Sequence, residues 1–290
     1  MNYPELQQKI KVSFIIPCYN CEKTLPDTVG SILVLGLKDF EICMVDDGSK
    51  DGTWTMLQAY AKKYPEYVKI GQNPMNKGGG YTRNECVKLA QYEWFFLVDS
   101  DNYLDRKSFF QLVESVTDQD NILTFQRICF FYDYLGMDLV YKTWQFRKEK
   151  MIFDDLRRTA YHPVVDGNYL FRRTVFEAVG GYDTELGALE SWSFGYKALI
   201  QGFEFKIVKD AKYFHRVDGK SYWVRENKNN SNNLKKLLLK YPAKFSAEEK
   251  DKIEKAEDTQ ATLITLPNDF VVEKVNLFFR LLLKIYYQLH

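Results

Sequence analysis

Trp94–Asn102 reads WFFLVDSDN: five apolar residues, three of them aromatic, run straight into an acidic turn. So short an apolar run, bounded by turn residues, predicts a strand buried on both faces. Three upstream stretches share the design. Lys11–Pro17 (KVSFIIP) leads into Cys18-Tyr19-Asn20, and Phe40–Val45 (FEICMV) into Asp46-Asp47-Gly48-Ser49. The short run Val68–Gly71 is followed by Asn76-Lys77-Gly78-Gly79-Gly80. Between these runs, Glu22–Leu35 carries helical spacing at Leu25, Val29, Ile32 and Leu33. Trp54–Tyr64 does so at Trp54, Leu57 and Ala61, and Tyr81–Tyr92 reads as a third helix. Strands alternating with helices predict an α/β fold: a mainly parallel sheet with helices on both faces.

The chain continues less regularly. Asn121–Phe131 and Leu139–Phe146 read as strands of a smaller mixed sheet, and Tyr169–Arg172 leads into a Gly180-Gly181 turn. Glu190–Gln201 reads as a helix and Phe203–Val208 as a strand. At Glu226 the composition shifts to ENKNNSNN, which predicts a linker. Helices are expected over Leu234–Tyr241 and Ala247–Asp258, the latter opened by a Ser246-x-x-Glu249 capping box. The reading divides into a nucleotide half at about 10–105, a second half at about 106–225 that would take the acceptor, and a helical C-terminal extension over 226–290.

Composition narrows the function. The 290 residues are 46% hydrophobic, which is ample for a core. Forty basic against 39 acidic residues give a net charge of +1, so a nucleic-acid partner is not expected. Residues 1–11 lack the apolar centre of a secretory signal, and the five cysteines read as reduced thiols. The expected compartment is cytoplasmic, with a peripheral membrane position as the variant.

In an open parallel sheet, ligands bind outside the carboxyl ends of the strands. Those ends gather four carboxylates (Asp46, Asp47, Asp99, Asp101) with Lys77, Arg83 and three glycines. Carboxylates repel phosphate unless a divalent cation stands between them, and a hard cation takes oxygen ligands. The edge therefore suits a metal-bound polyphosphate. Each piece alone has a plainer reading: Asp-Asp-Gly-Ser is good turn chemistry, and Lys-Gly-Gly-Gly a flexible connection.

Val12–Asn20 (VSFIIPCYN), Val45–Asp51 (VDDGSKD), Asn76–Asn84 (NKGGGYTRN) and Leu97–Asn102 (LVDSDN) together resemble the motif series of family 2 glycosyltransferases. Phe171–Asp183 (FRRTVFEAVGGYD) and Glu190–Phe203 resemble the next two blocks, so the likeness covers roughly residues 10–225. It implies a GT-A type, Rossmann-like fold, a nucleotide-sugar donor and a divalent metal, Mn2+ or Mg2+. It implies that Pro17 and Tyr19 lie against the base and that Asp47 accepts a hydrogen bond from it, such as the N3–H of uracil. Asp99 would hold the ribose or a metal-bound water, Asp101 would ligate the metal, and Arg83 and Lys77 would lie near the nucleotide. His215, after the last strand, would complete the metal shell or meet the diphosphate. Lys220 and Arg225 would belong to a lid.

The resemblance places the catalytic base where this chain has Ser191, a residue with no useful basicity near neutral pH. Glu190 is the neighbouring carboxylate and the expected base; Asp183, Glu185 and Asp166 are the alternatives, and Glu190 could instead merely favour the helix N-terminus. The implied reaction is inverting transfer of a sugar, from a UDP-sugar by preference, to a hydroxyl of a saccharide or lipid-linked acceptor. A sugar nucleotidyltransferase is the first rival, but Pro17–Asn20 lacks its glycine-rich loop with a basic residue. A non-catalytic nucleotide-sugar-binding or scaffold protein is the second, supported by Ser191.

Cys18-x-x-Cys21 resembles half a zinc site, but no second pair has ligand spacing. In Phe270–Leu289, Glu273, Asn276, Arg280, Lys284 and Gln288 would form a narrow polar stripe on a helix. The remaining broad apolar face predicts either a peripheral membrane contact or packing on protein, including self-association.

Overall fold

The computed structural model describes residues 9–134, 137–158, 168–217, 227–255 and 270–274. The nucleotide half alternates as expected: β1 (Val12–Cys18), α1 (Leu25–Leu33), β2 (Phe40–Asp46), α2 (Thr53–Lys63), β3 (Val68–Gln72), α3 (Gly79–Leu89) and β4 (Trp94–Leu97). Next come β5 (Tyr103–Leu104), α4 (Arg106–Glu114), the long hairpin β6 (Ile122–Tyr134) and β7 (Met137–Phe146), β8 (Lys150–Met151) and α5 (Phe153–Arg158). The remaining elements are β9 (Leu170–Arg172), α6 (Arg173–Val179), α7 (Glu190–Ile200), β10 (Phe205–Arg216), α8 (Asn227–Leu239), α9 (Ala247–Lys255) and β11 (Phe270–Lys274).

One sheet runs through both halves in the order β11-β7-β6-β9-β4-β1-β2-β3, with β10 beside β6. The pairs β4–β1, β1–β2 and β2–β3 are parallel. β1, β2 and β4 show the burial of strands covered on both faces, with β2 buried at every position, while β3 at the edge is buried only at Val68. β9 pairs antiparallel with β4 on one side and with β6 on the other, joining the halves. Pro17 is tolerated inside β1 because the β4 pairing stops at Ile15–Leu97, so no ladder partner requires its missing N–H on that side.

The core crosses the same seam. Phe14, Phe96 and Phe109 meet with ring centroids 5.3–6.1 Å apart. Phe95 stands edge-on to Phe171, which meets Phe194 of α7 at 4.9 Å. Such tilted and edge-on arrangements are those the ring quadrupole favours. One charged group is built into this apolar interior. Glu41 of β2 accepts from the Ser13 hydroxyl and the Gln91 amide, each at 2.6 Å, and pairs with Lys69 at 2.6 Å. Burial alone would raise its pKa, but these partners outweigh burial and hold it low.

Two expectations are corrected. The ENKNNSNN stretch is not a linker from Asn227 onward: it forms the first two turns of α8. Asparagine is a poor helix former, but α8 is held by tertiary packing: Leu237 and Leu238 are fully buried, and Asn233 donates to the Leu186 carbonyl at 3.1 Å. The segment expected as a helix from Phe270 begins instead as β11, which adds antiparallel to β7 from Phe270–Phe146 to Lys274–Lys142. Val271 and Val272 suit a strand, and the open edge of β7 supplies the hydrogen-bond partners. Residues 275–290 lie outside the described residues. The capping box forms as read: Glu249 accepts from the Ser246 amide at 2.6 Å, and Ser246 accepts from the Glu249 amide at 3.2 Å. No helix among the described residues is long and apolar enough to cross a membrane.

Candidate active site

The four loops read from the sequence converge at the carboxyl edge of β1–β4. Asp47 is buried, and its partners are protein N–H groups rather than an open pocket. Its Oδ1 accepts from Asn73 Nδ2 and the Lys77 amide, both at 2.8 Å, and its Oδ2 accepts from the Gly78 amide at 2.9 Å. The carboxylate thus pins the Asn76–Gly80 loop against β2. Pro17 is half-buried, Tyr19 is 42% exposed beside it, and the Lys77 side chain is in solvent.

The glycines do more than connect. α3 begins at Gly79 rather than near Tyr81, so two of the three are helical. A Cβ on Gly80 would overlap the Asp183 carbonyl, and one on Gly79 would overlap the Glu190 carboxylate and the Arg83 guanidinium. The helix start therefore lies in direct contact with the segment that opens α7. Gly78, at φ +90°, makes the turn that brings it there. A cavity of about 400 Å³ opens beside it, lined by Asn76, Lys77, Gly78, Asp183, Thr184 and Gly187 among others. That volume is in the usual range for a small-molecule site.

Beneath the glycines lies a buried charge cluster. Arg83 donates through Nη1 to Glu190 Oε1 and through Nη2 to Asp99 Oδ1, both at 2.7 Å. Burial opposes its charge, but Asp99 and Glu190 outweigh it and push its pKa up. Glu190, the first residue of α7, is 5% exposed, and its Oε2 has no hydrogen-bond partner among the described residues. Burial raises its pKa despite Arg83. Ser191 is buried, and its carbonyl accepts from the Tyr169 hydroxyl at 3.3 Å. Asp183 borders the cavity and pairs with Lys197 at 3.3 Å and with Lys240, just past α8, at 3.4 Å; burial would raise its pKa, but the Ser193 hydroxyl and the two lysines outweigh burial and hold it low. Glu185 is exposed, and Asp166, Lys220 and Arg225 lie outside the described residues.

The Asp99–Asn102 turn is clamped against β10. Asn102 accepts from the Arg216 amide at 2.8 Å, and the Asp101 carbonyl accepts from Arg216 Nε at 2.9 Å. His215 Nδ1 lies 3.4 Å from Asn102 Nδ2, and its ring stands edge-on to Phe130. The structure thus brings His215 to the turn that carries Asp99 and Asp101. Among the described residues no group of three His, Cys, Asp or Glu side chains converges as a metal cage. The donor set is one of hard oxygens with a nearby imidazole, so it fits a Mg2+- or Mn2+-type ion held partly by substrate phosphates. Asn73, Asn84, Asn102 and Asn168 escaped the sequence reading as site residues. Asn84 and Asn102 stood inside quoted motifs, but no local signal marked Asn73 or Asn168. All five cysteines are buried free thiols, and among the described residues no group of three His, Cys, Asp or Glu gathers around Cys18 and Cys21.

Comparison with known proteins identifies the fold and the family. Residues 13–180 match the family model described as glycosyl transferase family 2. The chain is 36% identical over 97 residues to a poly(ribitol-phosphate) beta-glucosyltransferase of Bacillus spizizenii, covering 33% of this chain and 15% of that protein. The likeness to that relative is therefore confined to a small part of its length. Among solved structures, S. aureus TarS 1–349 in complex with UDP-GlcNAc superimposes with a TM-score of 0.62 at 20% identity, covering 84% of this chain and 70% of that one. The mannosyltransferase PcManGT from Pyrobaculum calidifontis, in complex with GDP-Man and Mn2+, gives 0.61 at 16% identity over 88% and 72% of the two chains. The fold is GT-A, and the chain belongs to glycosyl transferase family 2.

Proposed function

We propose that the protein is a metal-dependent, inverting transferase that moves a sugar from a nucleoside-diphosphate sugar, a UDP-sugar first, to a hydroxyl of a saccharide or lipid-linked acceptor. The observation that carries the reading is the acidic turn Asp99–Asn102, held between the end of β4 and β10 and joined through Arg83 to the buried Glu190. Asp101, with Asp99 and His215 beside it, would hold a divalent ion, which when bound supplies Lewis-acid stabilisation of the departing diphosphate. Pro17 and Tyr19 would cover the base. Asp47 sets the shape of the loop beneath the nucleotide; a contact with the base N–H would fall on Oδ2, which accepts from the Gly78 amide. Glu190 is our candidate base: its free oxygen and raised pKa suit a group that must take a proton from an acceptor hydroxyl near neutral pH. The UDP-GlcNAc complex of TarS and the GDP-Man and Mn2+ complex of PcManGT support the donor class and the metal.

Ser191 favours a second reading, a nucleotide-sugar-binding protein without turnover. One experiment decides between them. Purified protein is incubated with Mn2+ and a panel of nucleotide sugars, and free nucleotide is scored with and without saccharide acceptors. Metal-dependent release lost in Asp101→Ala, by about a thousandfold, supports the transferase. Tight donor binding with no release from any sugar supports the second reading.

A further inference from the structure

Arg83 lies where the resemblance expects a nucleotide contact, but its guanidinium is turned inward. It is 7% exposed, and both terminal nitrogens are engaged by carboxylates from different halves of the molecule. Asp99 belongs to the donor edge after β4, and Glu190 opens α7 in the second half. The next residue, Asn84, crosses the same boundary. It donates from Nδ2 to the Tyr182 carbonyl at 3.0 Å and accepts from the Tyr182 amide at 2.9 Å. The Tyr182 ring lies 5.9 Å from the guanidinium carbon. Arg83 and Asn84 thus grip, side by side, the segment that delivers Glu190.

Gly79 is an independent sign of the same arrangement. Its φ is not in the left-handed region, so its backbone does not require glycine. A Cβ there would strike Arg83 Nη1 and Glu190 Oε1 together. Glycine at 79 is thus explained by the ion pair beneath it rather than by a phosphate above it.

We propose that Arg83 is a positioning residue, a tether that fixes Glu190 relative to the donor carboxylate Asp99, and not a ligand of the nucleotide. The inference rests on the transferase reading for the roles of Glu190 and Asp99. A buried guanidinium with two planar hydrogen-bonding ends sets the distance between its carboxylates in a way a lysine cannot fully reproduce. Both terminal nitrogens of Arg83 are already held by carboxylates inside the protein, which does not suit a direct contact with diphosphate.

The test compares Arg83→Gln, Arg83→Lys and Gly79→Ala with the full-length wild type. Calorimetry measures UDP and GDP affinity with Mn2+, and steady-state assays separate kcat from donor KM. The tether predicts nucleotide Kd within about threefold of wild type in all three. It predicts kcat down about a hundredfold in Arg83→Gln, with partial recovery in Arg83→Lys, and about tenfold down in Gly79→Ala, where every charge is kept. A tenfold weaker nucleotide with unchanged kcat at saturating donor in Arg83→Gln overturns it. If Arg83→Gln does not fold, Gly79→Ala decides: kcat equal to wild type overturns the tether. A wild type that binds nucleotide but turns over no donor defeats the transferase reading instead. The tether is then judged on Arg83→Gln affinity, where an unchanged Kd supports it and a tenfold loss overturns it.

Discussion

Removing the Asp47 carboxylate tests what that residue does. Asp47→Ala deletes the acceptor of three N–H donors in a site 3% exposed. Asn73 keeps a second partner, Thr82 Oγ1 at 3.2 Å, so its loss is partly covered. The Lys77 and Gly78 amides lose the carboxylate that holds them. An unpaired buried donor costs about 1–3 kcal/mol, and these partly buried amides belong at the low end. The expected loss is about 2–3 kcal/mol in urea unfolding, with Asp47→Asn losing about half of that. Hydrogen exchange locates the effect: protection at Lys77 and Gly78 should fall while that of β1 and β2 stays high. Because α3 begins at Gly79, the opened loop should also weaken nucleotide binding. If Asp47→Ala costs under about 0.5 kcal/mol, leaves both amides protected and changes only the preference among UDP, GDP and ADP, the loop-anchor argument is wrong and the residue serves the base alone.

Three further outcomes follow from the geometry. Glu190→Gln should keep nucleotide affinity and lose transfer by about 10²–10⁴-fold; since a base acts when deprotonated and burial raises this carboxyl, wild-type kcat should climb with pH through a value above the ordinary carboxylate range, and normal transfer by the variant would move the base elsewhere. Glu41→Ala leaves Lys69 the Leu89 carbonyl and should cost about 2–3 kcal/mol through the Ser13 hydroxyl and Gln91 amide left without this acceptor. Its folded pKa lies below the unfolded value, so wild-type stability from Glu41 is present above about pH 4.5 and is lost as pH falls through the lowered value; a variant whose acid unfolding matches wild type would contradict this. Deleting residues 268–290 should uncover the β7 edge and promote self-association seen by light scattering, with nucleotide affinity retained; a truncated protein that stays monomeric would show the edge is protected by other means.

Periodicity and turn chemistry carried the reading furthest where sequence and burial obey one rule. β1, β2 and β4 are apolar runs because both faces are covered, whereas β3 at the sheet edge carries Lys69 and Gln72 and is only half-buried; the loops named at their ends lie at the site. The capping box at Ser246 was legible because its two hydrogen bonds are local. The misreadings arose where packing overrules composition. Asn227–Asn233 has weak helical preference but is carried by buried leucines further along α8. Phe270–Lys274 is too short for a helical stripe to decide its form, its Phe270-Val271-Val272 run also suits a strand, and the open edge of β7 decides between them. The direction in which Arg83 points was not legible either, since it depends on two carboxylates 16 and 107 residues away.

β9 is only three residues long, yet it is the strand that fills the gap between β4 and β6. A ribosome making this chain emits β4 and the β6–β7 hairpin well before Leu170, so neither can complete its pairing when first made. Until Leu170–Arg172 arrives, the facing edges of β4 and β6 stand open on a nascent chain, and late, non-local closure of this kind is slow and prone to mispairing. Assembly of the charge cluster is later still, because Glu190 follows β9 by 18 residues. Destabilising substitutions in β9 should therefore show first as poor yield of folded protein, in cells held at higher temperature, before any change is seen in the molecules that do fold.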